Sequence, residues 1–290
     1  MADEAPLPAA HPTSTPSHGP APRGPVRGPL QKMDKGGIAR IVAVGSGKGG
    51  VGKSSATVLL ASELRRQGRR VGILDADITG PSVPKLLGLS GPLTDRGEGI
   101  EPAATASGIG VVSSQFMVED EQSPVIWRGP LVTRLIQQFF GGVNWGKLDY
   151  LLIDMPPGTS DVPLTVFQTI PIDGMVFVFT PQELSQLIVK KAMNMARDLH
   201  VPLLGVVENM TTVKCPHCGE DFAPFGPSRV EAVAEEYGIP VLAKLPLDPR
   251  VSELCDAGRA EQYASPQLEV YARSLARSID ELETTRSATL

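Results

Sequence analysis

An α/β fold, with a doubly wound and mostly parallel sheet carrying helices on both faces, is what this 290-residue sequence predicts. Three observations carry that expectation. From Gly37 onward short apolar runs alternate with helical patterns, the order that parallel sheets with crossover helices require. The runs Ile41-Val-Ala-Val44, Val71-Gly-Ile-Leu74 and Asp149-Tyr-Leu-Leu-Ile-Asp154 read as strands. Between the first of them and a helical stretch, Ala56–Leu64, lies a glycine-rich turn, Gly45-Ser-Gly-Lys-Gly-Gly-Val-Gly-Lys-Ser-Ser55.

Residues 1–37 stand apart. Eight of the first 30 are Pro, and Ala, Gly, Ser, Thr and His make up most of the rest. Such a segment cannot bury enough apolar surface to offset its ordering entropy, so it reads as a disordered Pro-rich tail. It has neither the apolar centre of a signal peptide nor the acid-free, Arg-rich pattern of a presequence, since it carries Asp3 and Glu4. One domain is expected over 38–284, with a frayed end at 285–290.

Within that domain Arg40–Gly45 is the first strand and Ser54–Gln67 its crossover helix, stopped by Gly68. Val71–Leu74 is the second strand, and Pro81–Leu89 gives a short helix. Residues 90–108 read as loop or hairpin and Gly110–Phe116 as a strand. Pro124–Pro130 leads into a helix at Leu131–Phe140, and Asp149–Asp154 is a buried strand. Met175–Thr180, a helix over Glu183–His200, and the strand Leu203–Glu208 follow. Ser228–Tyr237 is helical, Val241–Leu245 the last strand, and Val251–Gly258 a short helix. Pro266–Glu283 is an amphipathic packing helix, with Leu268, Tyr271, Leu275, Ile279 and Leu282 on one stripe.

The chemistry begins at the turn. Read from Gly47 it is G-x-x-x-x-G-K-S, and strand, loop and helix are the context this phosphate-binding pattern needs. Glycines let successive N–H groups face phosphate oxygens, and the helix presents its positive end to the same anion. Gly47, Lys48, Gly49, Gly50, Val51, Gly52, Lys53, Ser54 and Ser55 are therefore the candidate nucleotide-binding set. Lys53 is placed to reach the β- and γ-phosphates and Ser54 to bind Mg2+. Asp75 and Asp77 sit at the carboxyl edge of the second strand, where metal and water work is done, although Asp77 also suits a turn cap. Asp154 ends a buried strand and would hold Mg2+ opposite Ser54. Asn209, after the strand ending in Glu208, is a turn former or a base contact.

Cys215-Pro-His-Cys218 can grip one metal or one cluster edge. A structural zinc site normally needs four ligands, and the sequence offers no second C-x-x-C, with Cys255 far away and His217 badly spaced. A thioredoxin-like redox pair and a zinc knuckle remain open, and so does a four-thiolate site built by two-fold symmetry.

Composition narrows the classes. A formal charge of -5 and a pI near 5.5 argue against general nucleic-acid binding. No apolar stretch is long enough to span a bilayer. Three cysteines are too few for a disulfide framework and fit a reducing, cytoplasmic setting.

The lysine inside the loop, Lys48, gives the deviant form K-G-G-x-G-K-S. Together with Asp75-Ala-Asp-Ile-Thr-Gly-Pro-Ser82, Trp127-Arg-Gly-Pro130, Asp154-Met-Pro-Pro-Gly-Thr-Ser-Asp161 and Cys215–Cys218, it resembles the Mrp/ApbC iron–sulfur cluster carrier ATPases of the MinD/ParA superfamily, over about residues 38–282. The resemblance implies a P-loop NTPase of the SIMIBI type, a homodimer with ATP at its interface, and a labile [4Fe–4S] cluster bridged by Cys215 and Cys218 of both chains, in a loop inserted at 211–226. It assigns Lys48 to the partner's nucleotide, Asp77 to the attacking water, Asp75 to the Mg2+ shell and Asn209 to the adenine edge, with Pro246–Pro249 nearby. Gly158 would sense the γ-phosphate, and Arg128 would contact partner or nucleotide if it is more than an ordinary arginine at a helix start. Lys48, Lys53 and Asp77 are the implied catalytic residues. Implied partners are apo iron–sulfur proteins and an upstream cluster donor, with no nucleic acid and no membrane. Two departures stand out: no small domain precedes the core, and the tail holds no four-cysteine cluster motif. A MinD/ParA-like positioning ATPase and a zinc-stabilised nucleotide switch are the rival readings.

Overall fold

The computed structural model describes residues 32–289 apart from 96, 98, 118–128, 160 and 183–186. Trp127 and Arg128 of the W-R-G-P run lie outside the described residues, as does the side chain of Asp161.

In chain order the elements are β1 (Ile38–Gly45), α1 (Lys53–Arg66), β2 (Val71–Asp75), α2 (Val83–Leu87), β3 (Thr94–Asp95), β4 (Ile100–Glu101), β5 (Ala103–Ala104), β6 (Gly110–Ser113), α3 (Gly129–Gly141), β7 (Leu148–Asp154), α4 (Asp161–Thr169), β8 (Gly174–Phe179), α5 (Leu187–Asp198), β9 (Leu203–Glu208), β10 (Val213–Lys214), β11 (Asp221–Phe222), α6 (Val230–Tyr237), β12 (Val241–Lys244), α7 (Pro249–Asp256) and α8 (Pro266–Thr289). Eight strands form one sheet in the order β12-β9-β8-β1-β7-β2-β6-β5. All neighbours are parallel except β5 and β6.

Alternation along β1 shows the double winding. Ile41 and Ala43 enter a core with Ile136, Phe139, Val166, Met193 and Val233, so α3, α4, α5 and α6 cover that face. Val42 and Val44 enter the other core with Leu60, Leu64, Leu268 and Tyr271, so α1 and α8 cover the opposite face. Successive strand side chains point to opposite faces, and a strand covered on both must be apolar at every position.

Three boundaries differ from the sequence reading. The strand expected over Gly110–Phe116 ends at Ser113, and Ser114–Met117 is a 3-10 turn. The Ser113 hydroxyl explains this. It donates to Asp75 Oδ2 (3.1 Å) and accepts from the Gln115 N–H (3.3 Å), drawing the chain off the sheet. Helix α8 continues to Thr289, beyond the expected end. Arg40 pairs with its Asp280 and Glu283 at 3.4 and 2.9 Å. At the other end, packing begins before residue 38. The Met33 N–H donates to the Thr169 carbonyl (2.9 Å), and Lys35 Nζ meets Asp173 at 2.6 Å. Among the described residues no helix is long and apolar enough to cross a membrane.

Candidate functional site

Parallel register builds the site. β1, β7 and β2 lie side by side, with Val44 opposite Asp154 and Asp154 opposite Asp75, so three carboxyl ends deliver the loop and two acids to one edge. That edge is where open α/β sheets bind ligands. The loop needs its glycines at two positions. Gly50 (φ 84°) and Gly52 (φ 80°) adopt left-handed backbone, and Gly52 caps α1. The Ser46 hydroxyl braces the turn by donating to the Lys48 carbonyl (3.0 Å). Gly47 and Val51 are buried, whereas Lys48, Gly49 and Gly50 face outward.

Asp154 is the hub. Lys53 Nζ (2.7 Å) and the Ser54 hydroxyl (2.6 Å) both donate to its Oδ2, and the Thr57 hydroxyl donates to its Oδ1 (2.9 Å). Asp154 is fully buried and Lys53 nearly so. The oxygen donors expected around Mg2+, Ser54 and Asp154, are thus already together, and hard oxygen donors suit that ion. Thr57 was not singled out in the sequence, although its spacing of four from Lys53 puts both on one helical face.

Asp75, expected near the Mg2+ shell, also holds backbone. Its oxygens accept the N–H groups of Asp77 (3.2 Å), Ser82 (3.2 Å) and Val83 (3.3 Å) and the Ser113 hydroxyl. It therefore ties down the Asp77–Val83 turn. Burial, with Asp154 alongside, pushes its carboxyl up to about 8 against the pull of Lys53. Asp77 is half-buried, its Oδ1 accepts from Thr79 (3.3 Å), and burial raises it too. Following β7, the Gly158 N–H, expected to sense a phosphate, donates to the Ser46 carbonyl (3.0 Å).

Beside the loop lies a cavity of about 300 Å³. Gly52, Ser55 and Leu59 form one side, Asn209 and Met210 another, and Leu245–Asp248 with Val251, Ser252 and Cys255 the rest. Asn209 borders it but also clasps the loop. Its Nδ2 donates to the Val51 carbonyl (2.9 Å), and its Oδ1 accepts the Met210 N–H (3.0 Å). Asp248 caps α7 through the Arg250 N–H (2.9 Å) and accepts from the Tyr263 hydroxyl (3.0 Å). No sequence pattern points to Cys255 at this cavity. Burial pushes its thiol up, while its hydrogen bond with Ser55 pulls the other way.

Cys215 and Cys218 are not part of this cluster. They occupy the tip of the two-stranded ribbon β10–β11. The Cys215 N–H donates to the Glu220 carbonyl (2.8 Å), and the Gly219 N–H to the Cys215 carbonyl (2.9 Å). Backbone N–H groups, that of Cys218 foremost and then His217, donate to the Cys215 sulfur and hold its thiol below the ordinary range. That favours the thiolate, the form that ligates metal. Cys218 and His217 are exposed. Among the described residues no three His, Cys, Asp or Glu side chains gather in a way that could hold a metal ion.

A family model described as NUBPL iron-transfer P-loop NTPase matches residues 37–281. The iron-sulfur cluster carrier protein of Clostridium perfringens is 45% identical over 238 residues, 79% of this chain and 84% of that one. The protein of the same name from Methanocaldococcus jannaschii is 48% identical, over 76% of this chain and 77% of that one. Among solved structures, a nucleotide-binding protein from Archaeoglobus fulgidus in complex with ADP has a TM-score of 0.71 at 45% identity, covering 80% of this chain and 90% of its own. The cell division ATPase MinD of Pyrococcus furiosus shares the fold at 21% identity, with a TM-score of 0.58 over 85% of this chain and 99% of its own.

Proposed function

The chain belongs to the iron-transfer P-loop NTPase family, and from that premise we propose that it binds iron–sulfur clusters and transfers them to apo-proteins, with ATP bound and slowly hydrolysed at a homodimer interface. The observation that carries this reading is the cysteine pair at the ribbon tip, Cys215 half-buried and Cys218 exposed, with no third ligand gathered beside it among the described residues. Two chains related by a two-fold axis would supply four thiolates and hold a [4Fe–4S] cluster between them as cargo. Cargo held at a solvent-facing tip can be received from an upstream donor and handed on. A reducing cytoplasm suits three unpaired thiols.

The nucleotide half follows from the loop. The cavity takes the nucleoside, with Asn209 and Pro246–Asp248 at its border. The loop N–H groups and Lys53 take the phosphates. Lys53 then exchanges the Asp154 carboxylate for phosphate oxygens, and Ser54 and Asp154 would hold Mg2+, which neutralises phosphate charge when bound. Asp77 orients the attacking water, and Asp75 acts through the turn that carries it. Lys48, exposed at the loop, reaches the partner's phosphates. Release of the Gly158 N–H from Ser46 would free it for the γ-phosphate, coupling hydrolysis to the loop that follows β7.

Anaerobic reconstitution with iron and sulfide tests the reading. A brown protein with broad visible absorption, bleached in Cys215→Ser and in Cys218→Ser, is expected. Stoichiometric zinc with no iron uptake would instead make the chain a zinc-stabilised nucleotide switch. Lys53→Ala should slow cluster transfer to an apo-acceptor, and transfer at the wild-type rate would break the link to ATP.

A further inference from the structure

Only five residues separate Asn209, which clasps the phosphate loop, from Cys215. At no more than roughly 3.6 Å per residue, the cysteine stays within about 20 Å of the loop whatever the chain does between them. The chain between them has little slack. Asn209 is pinned at its N–H to the Phe179 carbonyl (2.7 Å) and at its side chain to Val51. The Thr211 N–H and hydroxyl both donate to the Leu245 carbonyl (3.0 and 3.1 Å). The Leu247 N–H donates to the Thr212 carbonyl (2.7 Å), and β10 then pairs with β11. Met210, at the start, has φ 59°, a left-handed conformation that a long unbranched side chain adopts at a cost.

The residues that hold this segment also wall the nucleoside cavity. Pro246, Leu247 and Asp248 line it on one side and on the other line a second cavity of about 600 Å³, whose far wall is Val213, Lys214 and Asp221 of the ribbon. We infer that residues 209–214 are a strap through which filling of the nucleoside cavity resets the cysteine tip, with 246–248 as the wall common to both cavities. The inference rests on the ATP-binding, cluster-carrying reading above and adds a route to it. The strap senses the nucleoside rather than the terminal phosphate, because Asn209 and Met210 of the strap, and Leu245 and Leu247 to which it bonds, border the base-side cavity. ADP and ATP therefore act alike through it, in contrast to a signal through Gly158, which follows the γ-phosphate. Strain at Met210 gives the strap a second arrangement to relax into.

The test follows thiol alkylation of the full-length apo-protein by peptide-resolved mass spectrometry, with Mg2+ and ADP, ATP or no nucleotide. Saturating ADP should change the Cys218 labelling rate by about fivefold or more, the lower end of ordinary site-to-site coupling, and ATP should do the same. Inserting two glycines between Thr212 and Val213 leaves the cavity and the ribbon their own contacts but slackens the strap. It should abolish the ADP response while ADP affinity, measured by equilibrium dialysis, is unchanged. If the insertion variant fails to fold, Thr211→Val, which removes one bond to Leu245, should at least halve the response. An unresponsive wild type, a response to ATP only, or a full response in the slackened variants overturns the strap. Reconstitution tests the carrier reading separately: an intact ADP response in a chain that takes up no iron–sulfur cluster would sink that reading and leave the strap standing.

Discussion

At the phosphate loop, Lys53, Thr57, Asp75 and Asp154 are all less than a tenth exposed and bonded to one another or to backbone. At the ribbon, Cys218, His217 and the half-exposed Phe222 face solvent, and a short turn, chiefly through its backbone N–H groups, positions the Cys215 sulfur. The first region is finished by the fold. Sheet register sets its acids, so phosphate meets groups that need little reorganisation. The second is held by local amides at a solvent-facing turn, away from the core. Stability and cargo binding are thereby separated, which lets one region change without unfolding the other.

The largest expected effect lies in the buried region. Asp154→Ala removes the acceptor of Lys53, Ser54 and Thr57 and leaves a buried ammonium unpaired, which costs ~3–5 kcal/mol in urea unfolding. A loss under ~1 kcal/mol would mean the network is not preformed. Gly52→Ala should cost ~1–3 kcal/mol, because its φ of 80° disfavours a side chain and the added Cβ meets Asn209 Nδ2. Weaker ADP binding by calorimetry should accompany it, since the clasp on Val51 is displaced.

Asp75 sharpens the contrast through pH. Its carboxyl is raised to about 8 in the folded chain by burial and by Asp154, against about 4 when unfolded. The folded state thus holds the proton more tightly, and the stability this contributes is full below about 4 and is lost as pH rises toward 8. Urea midpoints at low and high pH should show the wild type losing stability relative to Asp75→Asn across that window, and parallel curves would contradict the burial argument. The smallest effect belongs to the ribbon. Cys215→Ser and Cys218→Ser should each shift stability by no more than ~0.5 kcal/mol, as surface changes do, while abolishing cluster retention. A cost above ~2 kcal/mol would make the tip a structural element and erase the division.

The loop and Asp154 are legible in the sequence because their chemistry sits in consecutive residues next to an apolar strand. The part played by Asp75 is not, because its donors come from residues 77, 82, 83 and 113 and meet only once β2 and β6 pair. Cys255 and Ser55 are 200 positions apart and become neighbours only when α7 folds beside α1. Asn209 is readable as a strand-end residue, yet its bond to Val51 depends on β9 reaching the loop edge. The short end of β6 escapes notice because one serine hydroxyl outweighs three residues of strand propensity. The alternation of strands and helices gives the sheet its class, but the insertion of β7 between β1 and β2 is a matter of long-range pairing that no local pattern encodes.

The central place of β1 also bears on how the molecule is made. β1 leaves the ribosome well before either neighbour, and Asp154, at the end of β7, follows Val44 by about 110 positions. At ordinary translation speeds that is a delay of roughly 5–20 s. Throughout it Ile41–Val44, wholly buried in the finished protein, is an apolar strand with both edges bare, a segment prone to aggregate. The strand that aims the phosphate loop is thus the nascent chain's greatest hazard, and a folding helper acting on this protein has its most useful target there.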